Sequence, residues 1–456
     1  MLNKSPSRRL FNTNFSAPFA CSIFFPDMLP DLSSTNSTVF LGSSVAAGVC
    51  AALRQKAPGR GLTPAAMKGL LQRSAKDIGG DASAFSPTDL VATGLAGGVG
   101  LSSLWCSSGC GNRGGGGGET VIKIVSSLPR TGSAQGQTDT IVNGIKMAIE
   151  DAGGAVAGMK VEYQDMDDAT AAAGKWEAAA ESANARKAVA DDDVMCFIGP
   201  YNSGAAKVSM PILNEGGVLQ ISPAATWPGL TKKQPGDTSG EPDVYRPAKR
   251  VTFCRVCPTD DVQGPLSADF AKETLNARKV FILDDKELYG AGIAGLFEAR
   301  CRQIGVEVLG REGIVPTQQA FTEIAQKVAA LRPDMIYFGG TTQTAAGRLI
   351  KDLRTARLTC PVMVPDGCYE KAFIESASAQ DLTNVYATIG GTDPKLLKGK
   401  GEEFVKRYKA KYGKDPEAYA VYGYEAGAVF LAAVKKVGKK DRAEILKACL
   451  APKDFE

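Results

Sequence analysis

From residue 121 onwards the chain alternates between two kinds of segment, and this alternation constrains its fold more than any other feature. The run VIKIVSS at 121–127 is short, apolar and β-branched, as strands are. The next segment places Ile141, Ile145 and Ile149 on one face of a helix. The alternation continues through MKVEYQ, an Ala-rich helix over 168–190, VMCFIGP, SGAAKVSMPILNEGG and GVLQIS. This order predicts an α/β fold with a parallel, doubly wound sheet.

The pattern pauses at the polar loop 232–250, which is rich in proline and glycine, and then starts again. The strands of the second unit are predicted at VTFCRV, KVFILDD, VEVLGREG, MIYFGG and PVMVPDG, with helices between them. Two α/β units of similar size in series predict two Rossmann-like lobes that are separated by a cleft.

The first 118 residues follow no sustained period and are predicted to form an irregular, poorly structured extension. Within them, the mildly apolar segment 89–105 follows basic residues and precedes the cysteines of WCSSGC. This arrangement is typical of a lipoprotein signal with Cys110 as the lipidated residue, and the glycine run up to residue 118 would be a tether. An ordinary glycine-rich loop is the alternative. Apolar runs of roughly 18 residues are absent, so no membrane-spanning helix is predicted.

The chain contains no histidine, which excludes a histidine-dependent triad, a histidine general base and a histidine-ligated metal. Its net charge of +4 is small for 456 residues and gives no reason to expect a nucleic-acid partner. Cys254 and Cys257 form a CxxC motif inside a predicted strand, but a structural zinc site would need a second such motif. Buried strand cysteines are favoured over zinc or redox chemistry. The sequence therefore predicts no metal and no cofactor.

Small residues follow two neighbouring predicted strands of the first unit, in IGPYNSGAA and ISPAATWPGLT. Ligands of open parallel sheets bind beyond the carboxyl ends of the strands, where helix N-termini favour anions. Ser203, Ala224, Ala225 and Thr226 would let a carboxylate approach backbone amides and hydroxyls. For Ser203 an ordinary helix N-cap is the alternative, because serine is preferred there whatever the function.

The strand ends of the second unit carry different chemistry. Tyr289 follows KVFILDD, Thr341 follows MIYFGG, and Asp366 follows PVMV. A carboxylate here could pair with an ammonium group, so one lobe would hold the carboxylate and the other the amine of an α-amino acid. An aspartate before glycine is also a common turn former, which leaves a structural role for Asp366 open.

Residues 119–456 resemble the leucine/isoleucine/valine-binding family of type I periplasmic solute-binding proteins, which feed ABC transporters. The stretches that carry the resemblance are VEYQDMDDATAAAG, CFIGPYNSGAA, ISPAATWPGLT, FCRVCPTDDVQGP, DDKELYGAG and MIYFGGTT. The resemblance implies two lobes joined by a hinge, with a cleft that closes on the ligand. It places lobe 1 at 119–260 plus part of 385–456, and lobe 2 at 261–385.

Matched to the family, Ser203, Ala224 and Thr226 hold the ligand carboxylate, with Ala225 in the same loop, and Asp366 holds the ammonium group. The resemblance also implies that Tyr289, Thr341, Tyr419 and Gln137 line the cleft. Thr341 and Gln137 stand where leucine-type receptors carry aromatic residues, and Asp366 is one methylene shorter than the usual glutamate. These departures imply a smaller or more polar ligand than leucine.

A second, shorter resemblance covers residues 42–79, which look like the end of a subtilisin-type protease with Ser44 as the nucleophile. A serine nucleophile needs a base to accept its proton, and the chain has no histidine. The segment is therefore interpreted as a catalytically dead remnant, with a fusion or a mis-set gene start as the alternatives.

Taken together, the sequence predicts a non-enzymatic solute receptor that lies in the periplasm or is lipid-anchored at the cell envelope. Its expected partners are an amino acid, of branched-chain type or a related small zwitterion, and the permease of an ABC transporter. The alternatives are a ligand-sensing domain that signals to a protein partner and, less favoured, a serine protease.

Overall fold

The computed structural model describes residues 20–24, 38–42 and 120–451. Cys110 and Ser44, which the sequence singled out, lie outside the described residues. The strands are β1 (Ala20–Phe24), β2 (Thr38–Gly42), β3 (Val121–Leu128), β4 (Ala155–Val156), β5 (Met159–Asp167), β6 (Val194–Ile198), β7 (Leu219–Ser222), β8 (Phe253–Arg255), β9 (Lys279–Asp284), β10 (Glu307–Gly313), β11 (Met335–Gly339), β12 (Val362–Val364) and β13 (Val385–Gly390).

Helices separate most of these strands. They are α1 (Gln135–Asp151), α2 (Ala178–Ala190), α3 (Ser203–Gly216), α4 (Asp260–Glu273), α5 (Leu288–Gln303), α6 (Thr322–Leu331), α7 (Ala346–Thr355), α8 (Lys371–Glu375), α9 (Lys400–Tyr412), α10 (Ala420–Val437) and α11 (Arg442–Cys449). Within the described ranges, no helix has both the length and the apolar character needed to cross a membrane.

Among the described residues, the strands form one six-stranded and one seven-stranded sheet. The first has the order β4-β5-β3-β6-β7-β8 and is parallel except for β4. The second has the order β10-β9-β11-β12-β13-β1-β2, in which β9 to β13 are parallel and the hairpin β1–β2 runs antiparallel beside β13. These two sheets define a first and a second domain, which confirms the predicted α/β fold.

From β3 onwards, the described part of the chain passes between the domains twice. It leaves the first sheet after β8 and enters the second domain through α4, and it returns after β13. The returning helix α10 packs along α1, and α11 packs against β7. Each domain therefore has its own apolar core, and the last helices complete the core of the first.

Two sequence predictions of secondary structure need correction. The helix expected over 168–190 begins only at Ala178, because side chains in 167–174 bond to nearby backbone instead. Asp167 accepts a hydrogen bond from the amide of Ala169, and Gly174 has a φ of 63°, which interrupts a helix. Strand β13, the parallel strand that pairs with the hairpin β1–β2, was not predicted at all.

Helices α1 and α10 lie so close together that adding a methyl group at their contact tests the packing. A Cβ on Gly144 would lie 2.2 Å from the carbonyl oxygen of Ala420 and 2.8 Å from the amide nitrogen of Tyr424. We expect Gly144→Ala to lower the free energy of unfolding by about 1–2 kcal/mol, because overpacking outweighs the gain in helix propensity. Urea unfolding would measure this loss. Gly136→Ala in the same helix is the control, since its Cβ would meet only Glu417 Oε1 at 3.5 Å; equal stability of the two variants would contradict the close packing.

Candidate functional site

A small cavity lies where strand ends of the two domains face each other, and it contains about 260 Å³ of space free of protein atoms, part of which is open to solvent. Such a position is where open parallel sheets bind ligands. Most of the predicted site residues lie at this cavity. Its lining consists of Tyr201, Asn202, Ser203, Ala224, Thr226, Tyr289, Thr341, Asp366, Gly367 and Tyr419.

The wall from the first domain offers hydrogen-bond donors. Ser203 is the first residue of α3, so the amides of this first turn have no acceptor within the helix. The Ser203 hydroxyl accepts a hydrogen bond from the amide of Trp227 at 3.1 Å. The Thr226 hydroxyl is buried and forms no hydrogen bond of normal geometry. A helix start beside an unsatisfied hydroxyl is suited to an anionic group.

The loop after β7 is held in place by its own hydrogen bonds. The amides of Ala224 and Ala225 donate to the hydroxyl of Ser222 at 3.2 and 2.8 Å. The sequence had suggested that these amides point at the cavity, but they are already bonded within the loop. The guanidinium of Arg255 donates to the carbonyl oxygens of Ala225 and Trp227 at 2.7 and 2.8 Å. Small side chains at 224–225 therefore serve the tight loop, while Thr226 supplies the available donor.

The wall from the second domain presents a buried carboxyl group. Asp366 follows β12 and is 4% exposed. It accepts a hydrogen bond from the hydroxyl of Tyr289 at 2.6 Å and another from the hydroxyl of Tyr419. Burial raises the pKa of Asp366 above its ordinary value, and the two tyrosine hydroxyls act in the opposite direction. A cation from a ligand would compensate this buried charge.

A second carboxyl group lies close by and was not predicted as a site residue. Asp260, at the start of α4, is fully buried, and its amide donates to the carbonyl oxygen of Thr226 at 3.1 Å. Its carboxyl oxygens form no hydrogen bond of normal geometry, although the nearby Thr226 hydroxyl lowers the pKa of the group. Burial and the neighbouring Asp366 raise the pKa of Asp260 well above its ordinary value. The sequence held a signal in the paired acids of PTDD, which belong to one of the stretches that carry the family resemblance.

Two predicted site residues do not reach the cavity. Ala225 is buried in an apolar cluster of the first domain instead. Gln137 connects two backbone groups, accepting a hydrogen bond from the amide of Tyr419 and donating to the carbonyl of Tyr369 at 3.4 Å. Its role is thus to hold the segment that carries Tyr419. Thr341 does line the cavity, and its backbone amide donates to Thr344 Oγ1 at 2.9 Å.

Polar contacts join the two domains beside the cavity. Lys175 of the first domain forms an ion pair with Glu287 of the second at 2.7 Å. Asn202 Nδ2 donates to Gln343 Oε1 at 2.9 Å. The domains are therefore in contact around the ligand position, which is the arrangement of a closed cleft.

A larger apolar groove of about 900 Å³ lies between residues 368–395 and 405–418, which directly adjoin the cavity residues Gly367 and Tyr419 in the chain. Its lining is mainly aliphatic and aromatic, and four of its five charged residues are acids. Convergent polar groups are what fix a small polar ligand, so the smaller cavity is the better candidate despite its size.

Comparisons with known proteins agree with this geometry. The periplasmic binding protein family matches residues 121–455. An amino acid binding protein of Pseudomonas aeruginosa is 27% identical over 328 residues, which cover 72% of this chain and 81% of the relative. Among solved structures, the leucine binding protein LivK of Thermotoga maritima has a TM-score of 0.60 at 26% identity, covering 72% of this chain and 87% of that one.

A second solved structure is the branched-chain amino acid transporter substrate binding protein LivJ of Streptococcus pneumoniae, in complex with isoleucine. Its TM-score is 0.61 at 25% identity, and the match covers 74% of this chain and 90% of that one. The match of the family over residues 121–455, together with the two sheets and the cavity between them, leads to one conclusion: this chain belongs to the periplasmic binding protein family.

Proposed function

We propose that the chain is the substrate-binding component of an ABC transporter and that it captures an α-amino acid outside the cytoplasmic membrane. The ligand is of branched-chain type or a related small zwitterion, and the partner that receives it is the transporter's permease. The names of the relatives support this proposal, since they include an amino acid binding protein and a substrate binding protein in complex with isoleucine. On this proposal the protein binds its ligand and does not transform it.

One observation carries the choice of ligand, namely the opposite chemistry of the two cavity walls. The first domain offers the Thr226 hydroxyl and the start of α3, both suited to a carboxylate. The second domain offers the buried carboxyl group of Asp366, with Asp260 nearby. A ligand with a carboxylate at one end and an ammonium group at the other satisfies both walls, whereas a simple organic anion would leave two buried acids uncompensated.

Capture works through closure of the two domains. A ligand that contacts both walls binds the closed arrangement more tightly than an open one, so it shifts the population towards closure. Moving that population from about 1% to about 99% closed requires roughly 5.5 kcal/mol of differential binding. Charge-assisted contacts to the ligand's carboxylate and to its ammonium group, each contributing about 1.5–3 kcal/mol, can together supply this differential binding free energy.

The experiment is a thermal-shift panel of the common amino acids on the purified protein. We expect at least one small or branched-chain amino acid to raise the melting temperature. Binding at 100 times the dissociation constant adds about 2.7 kcal/mol to the free energy of unfolding, which is readily measured. Failure of every amino acid in the panel would contradict the proposal.

Two analogues of leucine test the two walls separately. 4-Methylpentanoate keeps the carboxylate but lacks the ammonium group, and 3-methylbutylamine keeps the ammonium group but lacks the carboxylate. We expect neither to raise the melting temperature at concentrations where the active amino acid does. Stabilisation by the carboxylic acid alone would indicate a receptor for organic anions instead.

A further inference from the structure

Three cysteines meet in the core of the first domain, away from the ligand cavity. Cys196 lies on β6 and is in register with Leu219, and Cys254 lies on β8 and is in register with Ile221. Leu219 and Ile221 are alternate residues of β7, so these two cysteines belong to the same face of the sheet. Helix α11, which ends at Cys449, packs against β7, and all three cysteines join one apolar core.

Within this group, the side chains of Cys254 and Cys449 are near enough to shift each other's pKa, raising that of Cys254 and lowering that of Cys449. Cys257, the other member of the CxxC motif, points elsewhere, since its sulfur lies 3.8 Å from the carbonyl oxygen of Ala225. The partner of Cys254 is therefore a residue 195 positions away and not its neighbour in the motif. Both thiols are free in this structure.

We propose that Cys254 and Cys449 are a disulfide-forming pair that becomes oxidised in an oxidising compartment. The proposal rests on the extracytoplasmic location proposed above, because disulfides persist there and are rare in the cytosol. The pair would join β8, directly before the chain passes to the second domain, to the last described helix.

The chemistry is exchange with an external disulfide, such as glutathione disulfide or an oxidoreductase disulfide. The Cys449 thiolate attacks one sulfur of that disulfide, which releases one external thiolate and leaves a mixed disulfide on Cys449. Cys254 then loses its proton, and its thiolate attacks the Cys449 sulfur and expels the second external thiolate. Two protein thiols are oxidised to one disulfide while the external disulfide is reduced to two thiols.

Cys449 is suited to be the attacking group. The side chain of Cys254 lowers the pKa of Cys449 below its ordinary value, whereas burial raises the pKa of Cys196, on the same sheet face, well above its own. A thiol with a lowered pKa supplies more thiolate for exchange. Cys449 is also 7% exposed, whereas Cys196 is fully buried, so a reagent reaches Cys449 more easily than Cys196.

The structure also indicates what the bond would do. The beginning of α11 is held by Arg442, which donates to the carbonyl oxygen of Val194 at 2.8 Å, and by Asp441, which caps the amide of Glu444 at 3.1 Å. The end of the helix, at Cys449, has apolar packing in place of such anchors. A disulfide there would fix the second end and would restrict a loop of 195 residues in the unfolded chain.

The test is peptide mapping after equilibration with glutathione disulfide. Free thiols are blocked with N-ethylmaleimide, the protein is digested without reductant, and linked peptides are identified by mass spectrometry. We expect the peptides that contain residues 254 and 449 to be linked, and we expect Cys254→Ser and Cys449→Ser each to abolish the link. Cys360→Ser, at a half-buried cysteine in the second domain, is the control and should leave the link intact.

Thermal unfolding provides an independent measurement. Reduction should lower the melting temperature of the wild-type protein by about 5 °C or more and should leave Cys449→Ser unchanged. Free thiols at both positions after equilibration would overturn the proposal, as would links between Cys254 and Cys257 or between Cys196 and Cys449. Amino-acid binding, measured on the oxidised and reduced protein, separates the two proposals, because a protein that binds amino acids but keeps both thiols free contradicts the disulfide alone.

Discussion

Replacing Asp366 by asparagine is expected to weaken amino-acid binding by about 2 kcal/mol or more, which is a loss of roughly thirtyfold in affinity. The substitution keeps the size of the side chain but removes the charge that would pair with the ligand's ammonium group. Because Asp366 is buried, little solvent screens that pairing. Isothermal titration calorimetry with the amino acid identified in the thermal-shift panel would measure the loss.

The unliganded variant should be no less stable than the wild-type protein. Removing one of two neighbouring buried acids relieves their repulsion, since Asp366 raises the pKa of the nearby Asp260. A drop in affinity without a drop in melting temperature would therefore locate the effect in the site. Asp261→Asn is the matched control, because Asp261 is partly exposed, pairs with Lys232 at 2.9 Å and also removes one negative charge.

The pH dependence of binding has a definite sign. Burial raises the pKa of Asp366, and a bound ammonium group would lower it again by favouring the ionised carboxylate. Binding should therefore release protons, and affinity should fall as the pH falls through the raised pKa of the empty site. The Asp366→Asn variant should show a smaller change with pH. Unchanged affinity in this variant would remove Asp366 from the site.

Most of the fold could be predicted because each strand carries its own local signal. VMCFI and MIYFG are fully buried strands between helices, and continuous apolar runs mark such strands in a parallel sheet. Strand β13 does not follow a helix that the sequence reveals. The helix before it, α8, has five residues and is too short to show helical periodicity. Pairing of the hairpin β1–β2 with β13 joins distant parts of the chain, which local patterns do not report.

The sequence predicted which strand ends form the candidate site. It did not predict which backbone amides and side chains point into that site. Topology places Ser203 and Thr226 beyond strand ends of the first sheet and Asp366 beyond a strand end of the second, and these two edges meet at the cavity. Whether the amide of Ala225 faces a ligand depends on Ser222 and Arg255, which turn the loop inward through contacts between separate elements. Asp260 was missed for a related reason, because an acid at a helix start is explained by the helix dipole alone.

Adding one methyl group at Gly292 is expected to weaken ligand binding about fivefold or more while leaving the unliganded protein no less stable than before. Gly292 lies on α5 of the second domain, and a Cβ there would lie 2.4 Å from Cε3 and Cζ3 of Trp227 in the first domain. The indole is held by its Nε1, which donates to Glu241 Oε2 at 2.8 Å, so it cannot turn aside freely. The clash opposes only the closed arrangement, at a cost of about 1–3 kcal/mol.

Gly295→Ala in the same helix separates this clash from the general effect of the substitution. Both changes raise helix propensity by about 1 kcal/mol, but a Cβ on Gly295 would meet only the tip of the Arg311 side chain at 3.3 Å. Calorimetric affinities of the two variants should therefore differ although their melting temperatures without ligand are similar. Replacing Trp227 by leucine in the Gly292→Ala variant should recover part of the affinity, since the shorter side chain leaves room for the methyl group. Equal affinities of Gly292→Ala and Gly295→Ala would mean that ligand binding does not require the two domains to meet at Trp227, and capture by closure would then have to be abandoned.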